Sequence, residues 1–570
     1  MLDLAHRSYE EQAFELRKEI KRVAYERGTH LGSPLGAVEI IVALHQVFDS
    51  LTDRLIYDTG HQAYAHKLLT DRRTSFDRVR GRGGPSGFPS IHESDHDAFG
   101  VGHASTSIAA ALGFSLASTD HRTERWSVAV IGDSAFAGGE SLEALNLIED
   151  HGGLVGIVVN DNRHAISPAV GALARGVQRY RHIADAFGLA YVGPLDGHDT
   201  AQLVRDLTEL KRNRLPFLLH ARTVKGKGDD QAASDPIGGH AVSPSAIGDG
   251  ITPNSALRSH LSERLAAGES VRVVTPGMGH ASGLLTAGRE SLPVIDTGIT
   301  EPSAVTVGAA MALGGLETWV HIYSTFLPRA ADQIIHDVGL QGAPVRFAVD
   351  RVGLCGPDGI THHGLVDLAI LRSVPDIEVF SVSSLQILNF ALQRMSTELS
   401  SPSAVRFSKG ILSDRQIQHN GEWGQARPGS DITLISHGRQ IEQCVAAAET
   451  LARKGISCRV IDAFRVVPFP ETLAEEIAKT QQPVLVLEEH VESGSLGLAL
   501  SARIHEGTDL PQRFRRLCVQ SLTVEHGLVA EQLEDTGLSA TAVERLVLEW
   551  LADDEHPVAS QRHMRAVSHG

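Results

Sequence analysis

No stretch of this sequence reaches the roughly 18 consecutive apolar residues of a membrane-crossing helix, so no membrane span is expected. The opening MLDLAHRSYEEQAFELRKEI is acidic and amphipathic and lacks a signal-peptide core, which points to a cytoplasmic protein. Cysteine is scarce. Cys355, Cys444, Cys458 and Cys518 stand far apart, with no spacing suited to zinc, and are expected to be buried free thiols. Basic charge is also in short supply: the formal net charge of −17 argues against nucleic-acid binding, which relies on basic surface. Any phosphate site must therefore be local. Short repeats are missing too. What is present, 42% hydrophobic and 21% charged residues, is ordinary for a soluble globular protein. A chain of 570 residues exceeds one core, and about 150 residues per domain suggests three or four. Most of the 29 histidines are expected at the surface or in packing roles, and the ending QRHMRAVSHG reads as a disordered tail.

The most informative stretch runs from Trp126 to Ser167. Val128, Val130 and Ile131 form an apolar run that stops at Gly132-Asp133. A Gly-rich loop follows, then a helical pattern over 140–150 with Leu142, Leu145 and Ile148 on one face. A second apolar run, 154–159, stops at Asn160-Asp161-Asn162. Strand, helix, strand in this order predicts a parallel βαβ unit, and ligands of such sheets sit at the carboxyl ends of the strands. Asp133 and Asn162 are there, and both offer oxygen to a hard cation such as Mg²⁺, which commonly keeps phosphate oxygens in its shell. Gly132, Gly138 and Gly139 would let a diphosphate approach the backbone, and the helix would turn its positive end toward it. Taken singly, the two halves read rather as a tight turn with an Asp cap and an unrelated Asn turn; together they point to a metal–diphosphate site.

Similar alternation recurs along the chain and predicts an α/β protein of three doubly wound domains, 1–245, 246–425 and 426–570. Helices are expected at 8–29, 37–48, 107–118, 281–290 and 327–339, with loops at 29–36 and over the long Gly-, Ser- and His-rich segment 80–106. Loops of that length are usually functional. Residues 225–242 read as a polar linker.

The Asp133–Asn162 pairing resembles the thiamine diphosphate motif, with Ser134 in place of its second glycine. Serine fits that turn without strain only at negative φ. The whole chain, from about Gly28 to Trp550, resembles the 1-deoxy-D-xylulose-5-phosphate synthase family. The segments that carry the resemblance are THLGSPLGAVEIIVALH, DTGHQAYAHKLLTDRR, GGPSGFPS, GVGHASTSIAAALG, GPLDGHD, IYSTFLPRAADQIIHDV, DRVGLCGPDGITHHG and LEEHV. It implies a transketolase-like architecture, thiamine diphosphate and Mg²⁺ as cofactors, and a homodimer. The implied reaction condenses pyruvate with D-glyceraldehyde 3-phosphate, with loss of CO₂, and feeds isoprenoid, thiamine and pyridoxal synthesis.

The resemblance also implies residue roles. Glu301 would sit beside the aminopyrimidine, Phe326 would stack on it, and Ile166 would support the bent cofactor. Gly132, Ser134, Ala135 and His103 would lie by the diphosphate, Asp133, Asn162 and the carbonyl of His164 would bind the metal, and Lys225 would reach cofactor or substrate. His30, His61, His240 and His362 suit proton transfer, since imidazole titrates near neutral pH. Tyr323, Arg351 and Arg406 would hold the acceptor phosphate, Asp358 an acceptor hydroxyl, with Arg329 nearby. Without the resemblance, these arginines read rather as surface ion pairs and these histidines as loop residues.

The chain departs from the family in three places: at Ser134, at Pro302-Ser303 after Glu301, and in a shortened segment at 173–184. Proline is tolerated in a first helical turn. The departures keep open a paralogue acting on another 2-keto acid or aldehyde, and a non-catalytic subunit, against which the retained Asp133, Asn162 and Glu301 argue.

Overall fold

The structure, a computed structural model, describes residues 7–120, 125–151, 153–235, 237, 239–242, 249–285, 292–480, 482–506 and 513–552. Among the described residues the strands form three sheets, each rich in β-branched residues buried on both faces, as parallel sheets require. The first contains β1 (Arg54–Tyr57), β2 (Ser127–Gly132), β3 (Val155–Asp161), β4 (Ala190–Asp196) and β5 (Phe217–Arg222), in the order β1-β2-β3-β5-β4, all parallel. Alternate residues of β2 feed different cores: Val128 and Val130 pack to one side, Ala129 and Ile131 to the other. The helices therefore cover both faces, the doubly wound arrangement.

The second sheet repeats this plan with β6 (Val271–Thr275), β7 (Val294–Asp296), β8 (Glu317–Tyr323), β9 (Arg346–Asp350), β10 (Glu378–Ser381) and β11 (Ser403–Phe407). The third holds β12 (Gln418–His419), β13 (Gly424–Arg427), β14 (Ile432–Ser436), β15 (Cys458–Asp462), β17 (Val484–Val491) and β18 (Phe514–Val519). The remaining strand, β16 (Arg465–Val467), leaves the third layer and pairs antiparallel with β10 at the edge of the second sheet.

Register sets the site. Gly132 pairs with Asn160 across β2 and β3, so Asp133 and Asn162 leave neighbouring strand ends. Tyr323 pairs with Asp350 across β8 and β9, so Phe326 and Arg351 leave another such pair. The helix Tyr9–Arg27 ends at Gly28 in the left-handed region and delivers His30 to the same end of the molecule.

Several expectations are corrected. The loop after β2 begins with a short helix, Asp133–Phe136, and Ser134 lies in it without a positive φ, so serine costs no backbone strain. The expected loop at 29–36 contains the helix Gly32–Gly36. The helix expected at 327–339 is three pieces: a 3₁₀ turn Leu327–Ala330, a turn Ala331–Gln333 and a π-helix Ile334–Gly339; Pro328 in the first piece has no N–H for a regular ladder. The 225–242 linker holds a short helix, Asp230–Ser234. Of 281–290 only 281–285 is described, as turns and bends, and the C-terminal tail lies outside the described residues. Cys444, Cys458 and Cys518 are buried, whereas Cys355 is half-buried. No described helix is long and apolar enough to cross a membrane.

Candidate active site

A cavity of about 570 Å³ lies where the strand ends of the first and second sheets meet, within one chain. At one end, Gly132, Ser134 and Ala135 follow β2, and Asn162, His164 and Ile166 follow β3. Asp133 opens into an adjoining cleft of about 30 Å³, shared with Ser134 and Ile299 and roofed by Leu173 and Ala174 of the shortened segment. Neither Asp133 carboxylate oxygen has a hydrogen-bond partner, nor does the Ser134 hydroxyl. Burial, then the neighbouring Asp161, pushes the Asp133 carboxyl up to about 8. A buried carboxylate left unpaired is costly, and a divalent cation would answer it. The Asn162 Oδ1 accepts the His164 N–H at 2.9 Å, which leaves it a second lone pair. The expected role of Gly138 is corrected: a Cβ there would meet Ser105 Oγ at 2.2 Å, so this glycine permits close packing and does not border the cavity.

Across the cavity, Glu301 is the first residue of the helix Glu301–Leu313, 2% exposed, with Pro302 tolerated in the first turn. Its Oε2 accepts Arg329 Nε at 2.9 Å. Phe326 lies parallel to Tyr323 with centroids 5.9 Å apart and edge-on to His103 at 5.0 Å. His103 stands behind Phe326, bonding Thr325 Oγ1 and the Thr361 carbonyl. Lys225 donates to the Ala165 carbonyl at 2.6 Å, beneath the His164–Ile166 stretch, and burial, opposed by Asp133, lowers it to about 8.

Four histidines from different loops converge. His30, His61 and His240 form a triangle with ring centroids 5.2–5.5 Å apart, and His362 stacks on Phe88 at 4.8 Å. Their surroundings move them away from the usual imidazole range. Burial, reinforced by neighbouring cations, lowers His61 to about 3, His362 to about 4, and His30 and His240 well below the usual value. Their surroundings thus favour the neutral ring, and His240 Nδ1 is buried with no partner.

The far end is cationic. Arg351 lies over the Tyr323 ring at 4.3 Å, and the Tyr323 hydroxyl is buried without a partner. Asp358 pairs with Arg80 at 2.6 Å. Burial acts to raise Asp358, but Arg80, His362, Arg351 and Lys409 together hold it down to about 2. Lys409 is lowered first by Arg351 and then by burial. Both Arg80 and Lys409 line the cavity, and neither was anticipated.

Arg406 does not belong here. It is 1% exposed, its fork is closed on Asp367 by bonds of 2.9 Å each, and it does not line the cavity. Arg406 is inside β11, where side chains alternate between faces of the sheet, whereas Lys409 lies two residues past the strand's carboxyl end. The strand-end rule therefore selects Lys409 from the segment VRFSKG.

Comparison with known proteins places the chain among enzymes of one kind. A family model described as 1-deoxy-D-xylulose-5-phosphate synthase matches residues 1–184 and 179–223. Models described as transketolase, pyrimidine binding domain and transketolase, C-terminal domain match 249–414 and 421–543. The 1-deoxy-D-xylulose-5-phosphate synthase of an Anaeromyxobacter species is 38% identical over 599 residues, covering 93% of either chain. That of Thermus thermophilus is 36% identical over 600 residues, covering 95% of this chain and 96% of its own.

Proposed function

The chain belongs to the 1-deoxy-D-xylulose-5-phosphate synthase family, and from that membership we propose how its cavity divides the work. The enzyme is a transferase that condenses pyruvate with D-glyceraldehyde 3-phosphate, with loss of CO₂, to 1-deoxy-D-xylulose 5-phosphate, and it depends on thiamine diphosphate. Its architecture is α/β and transketolase-like. Nothing among the relatives favours another donor or acceptor.

The partnerless oxygens of Asp133 fit a divalent cation and the partnerless Ser134 hydroxyl fits a diphosphate acceptor. Mg²⁺ would be held by Asp133, the Asn162 amide oxygen and the His164 carbonyl, with Gly132, Ser134 and Ala135 toward the diphosphate, while His103, packed on Phe326, would meet the cofactor's ring end instead of the diphosphate. Bound thiamine diphosphate supplies the electron sink that lets a 2-keto acid lose CO₂. Glu301 holds the aminopyrimidine through its carboxyl, while Phe326 and Ile166 support the rings, and Arg329 orients Glu301 from the side. Lys225 fixes the 164–166 backbone from below. His30, His61, His240 and His362 hold and pass protons: a neutral ring accepts at one nitrogen and donates from the other, and His240 Nδ1 is free to do so.

The acceptor phosphate lies against Arg351, Lys409 and Arg80, with the Tyr323 hydroxyl as a further donor and Asp358 toward an acceptor hydroxyl. The observation that carries this reading is one cavity with a carboxylate awaiting a cation at one end and a surplus of cations at the other. We place the domain boundaries near 245 and 425, with 418–425 and 465–467 crossing the second. The enzyme is cytoplasmic and works as a homodimer, for which the exposed Val307 and Leu313 of the helix Glu301–Leu313 offer apolar surface.

Product analysis tests the reading. Purified protein with Mg²⁺, thiamine diphosphate, pyruvate and glyceraldehyde 3-phosphate is expected to release CO₂ and form 1-deoxy-D-xylulose 5-phosphate. CO₂ without that product would transfer the reading to another aldehyde acceptor.

A further inference from the structure

Three acceptor-side residues, Arg351, Asp358 and His362, share one loop, 351–364, which has little regular structure of its own. It contains a 3₁₀ turn broken at Gly359 and a single bridge from Gly353 to Gly364. A loop so built does not by itself hold three side chains in register. The third layer supplies what it lacks.

Two side-chain groups grip the loop by its backbone. The Leu354 N–H donates to Glu489 Oε1 at 2.7 Å, and the Leu354 carbonyl accepts Arg439 Nη2 at 2.6 Å, while Arg439 Nε closes onto Glu489 Oε2 at 2.8 Å. One ion pair thus satisfies both backbone groups of one residue. Two residues on, the amide of Gln532 does the same for Gly356: it accepts that residue's N–H at 3.0 Å and donates to its carbonyl at 2.9 Å. Gln532 is 1% exposed and also donates to the Glu525 carbonyl. The fit is close enough to dictate sequence. Gly353 has φ +86°, and a Cβ there would lie 2.5 Å from the Glu489 carboxyl carbon. Leu354 is buried in the core of the third sheet. Glu489, Arg439 and Gln532 are not thereby catalytic: none was needed for the chemistry above.

We propose that Gln532 and the Arg439–Glu489 pair are positioning residues that set affinity for the phosphorylated acceptor by bracing the loop that carries Arg351 and Asp358, and leave the donor and cofactor end untouched. This rests on the assignment of Arg351 to the acceptor phosphate. Losing a buried backbone partner leaves both an N–H and a carbonyl unsatisfied, and the loop relaxes away from its register.

The test is steady-state kinetics of Gln532→Met, which keeps the volume and removes both hydrogen bonds to Gly356 together with the one to the Glu525 carbonyl. The acceptor KM is expected to rise about tenfold, with the pyruvate KM and the cofactor Kd unchanged within about twofold. Glu489→Gln retains an acceptor for the Leu354 N–H and is expected to show a smaller rise in the same constant; it decides the matter if Gln532→Met does not fold. In an Arg351→Ala background Gln532→Met is expected to add less than twofold, because the group it positions is gone, a coupling that general destabilisation would not produce. Equal rises in both KM values, or full additivity with Arg351→Ala, would overturn the brace. An unchanged acceptor KM in Arg351→Ala alone would instead overturn the acceptor assignment, and is thereby distinguishable.

Discussion

Asp133, buried, and Asp358, mostly buried, are carboxylates at opposite ends of one cavity, yet one is pushed up to about 8 and the other held at about 2. Burial acts on both in the same direction, by disfavouring charge. The neighbours decide the outcome. Asp133 faces Asp161, its carboxylate oxygens make no hydrogen bond of good geometry, and the backbone of Ser134 and Arg163 and the Lys225 ammonium oppose the shift only weakly. Asp358 faces Arg80, His362, Arg351 and Lys409. Each end is therefore electrically incomplete in the opposite sense, and the imbalance states what each end takes: a cation at Asp133, an anion among the cations around Asp358. On the proposed reading, phosphate recognition would divide along the same line, the cofactor's through a metal and the acceptor's through side-chain donors directly.

The largest effect belongs to the carboxylate between these two ends. Glu301→Ala is expected to lower turnover by about 10²–10⁴-fold, the range for removing a proton-handling group, with the circular dichroism spectrum and melting temperature retained. Full activity in that variant would remove Glu301 from the mechanism. Asp133→Asn, which deletes the charge without the shape, is expected to weaken Mg²⁺-dependent cofactor binding about 10–100-fold by calorimetry; unchanged affinity would show that the unpaired carboxylate is not the metal site. At the opposite end, Arg351→Ala is expected to raise the acceptor KM about 10–100-fold, from the loss of charged hydrogen bonds, and the pyruvate KM little.

Arg406→Met sharpens the contrast between a binding arginine and a structural one. It removes the bidentate partner of buried Asp367 and leaves only His490, 3.9 Å away, as a countercharge, so stability in urea is expected to fall by about 3–5 kcal/mol, with no selective change in acceptor KM. A selective KM change would restore Arg406 to the substrate site. The mildest effect is that of pH. The four histidines have folded values below the unfolded 6.5. Between those values the unfolded chain binds more protons than the folded one, so stability is fully present above about pH 6.5 and is lost as pH falls toward 4. The melting temperature is expected to drop between pH 7 and 5, with a shallower slope in His61→Gln/His240→Gln. An unchanged slope would mean that these rings are protonated in the folded cavity.

Much of the donor end was legible in the primary structure because its information is local. Asp133 and Asn162 follow two apolar runs, and a parallel pairing of those runs is enough to bring them together. Glu301 and Phe326 similarly stand at strand ends followed by helices. The acceptor end was less legible. Arg80 comes from the long loop and meets Asp358 across 278 positions of sequence, a distance over which no spacing rule operates. Arg406 and Lys409 are three residues apart, and only the end of β11 at Phe407 decides which of them faces the cavity. The histidines were recognisable as a set, but their neutrality was not: a ring's pKa depends on how completely the fold excludes water from it.

Hydrophobic period, strand-end position and long motifs are properties of neighbouring residues, and they were enough for the α/β class, the family and most of the side chains that meet in the cavity. The charge environment of those side chains, the presence of Lys409 in place of Arg406 at the cavity wall, and the hold of the third layer on loop 351–364 through Glu489, Arg439 and Gln532 emerge only in the folded chain. Desolvation and ion pairing depend on what surrounds a group in three dimensions, and residues far apart in the chain supply those surroundings.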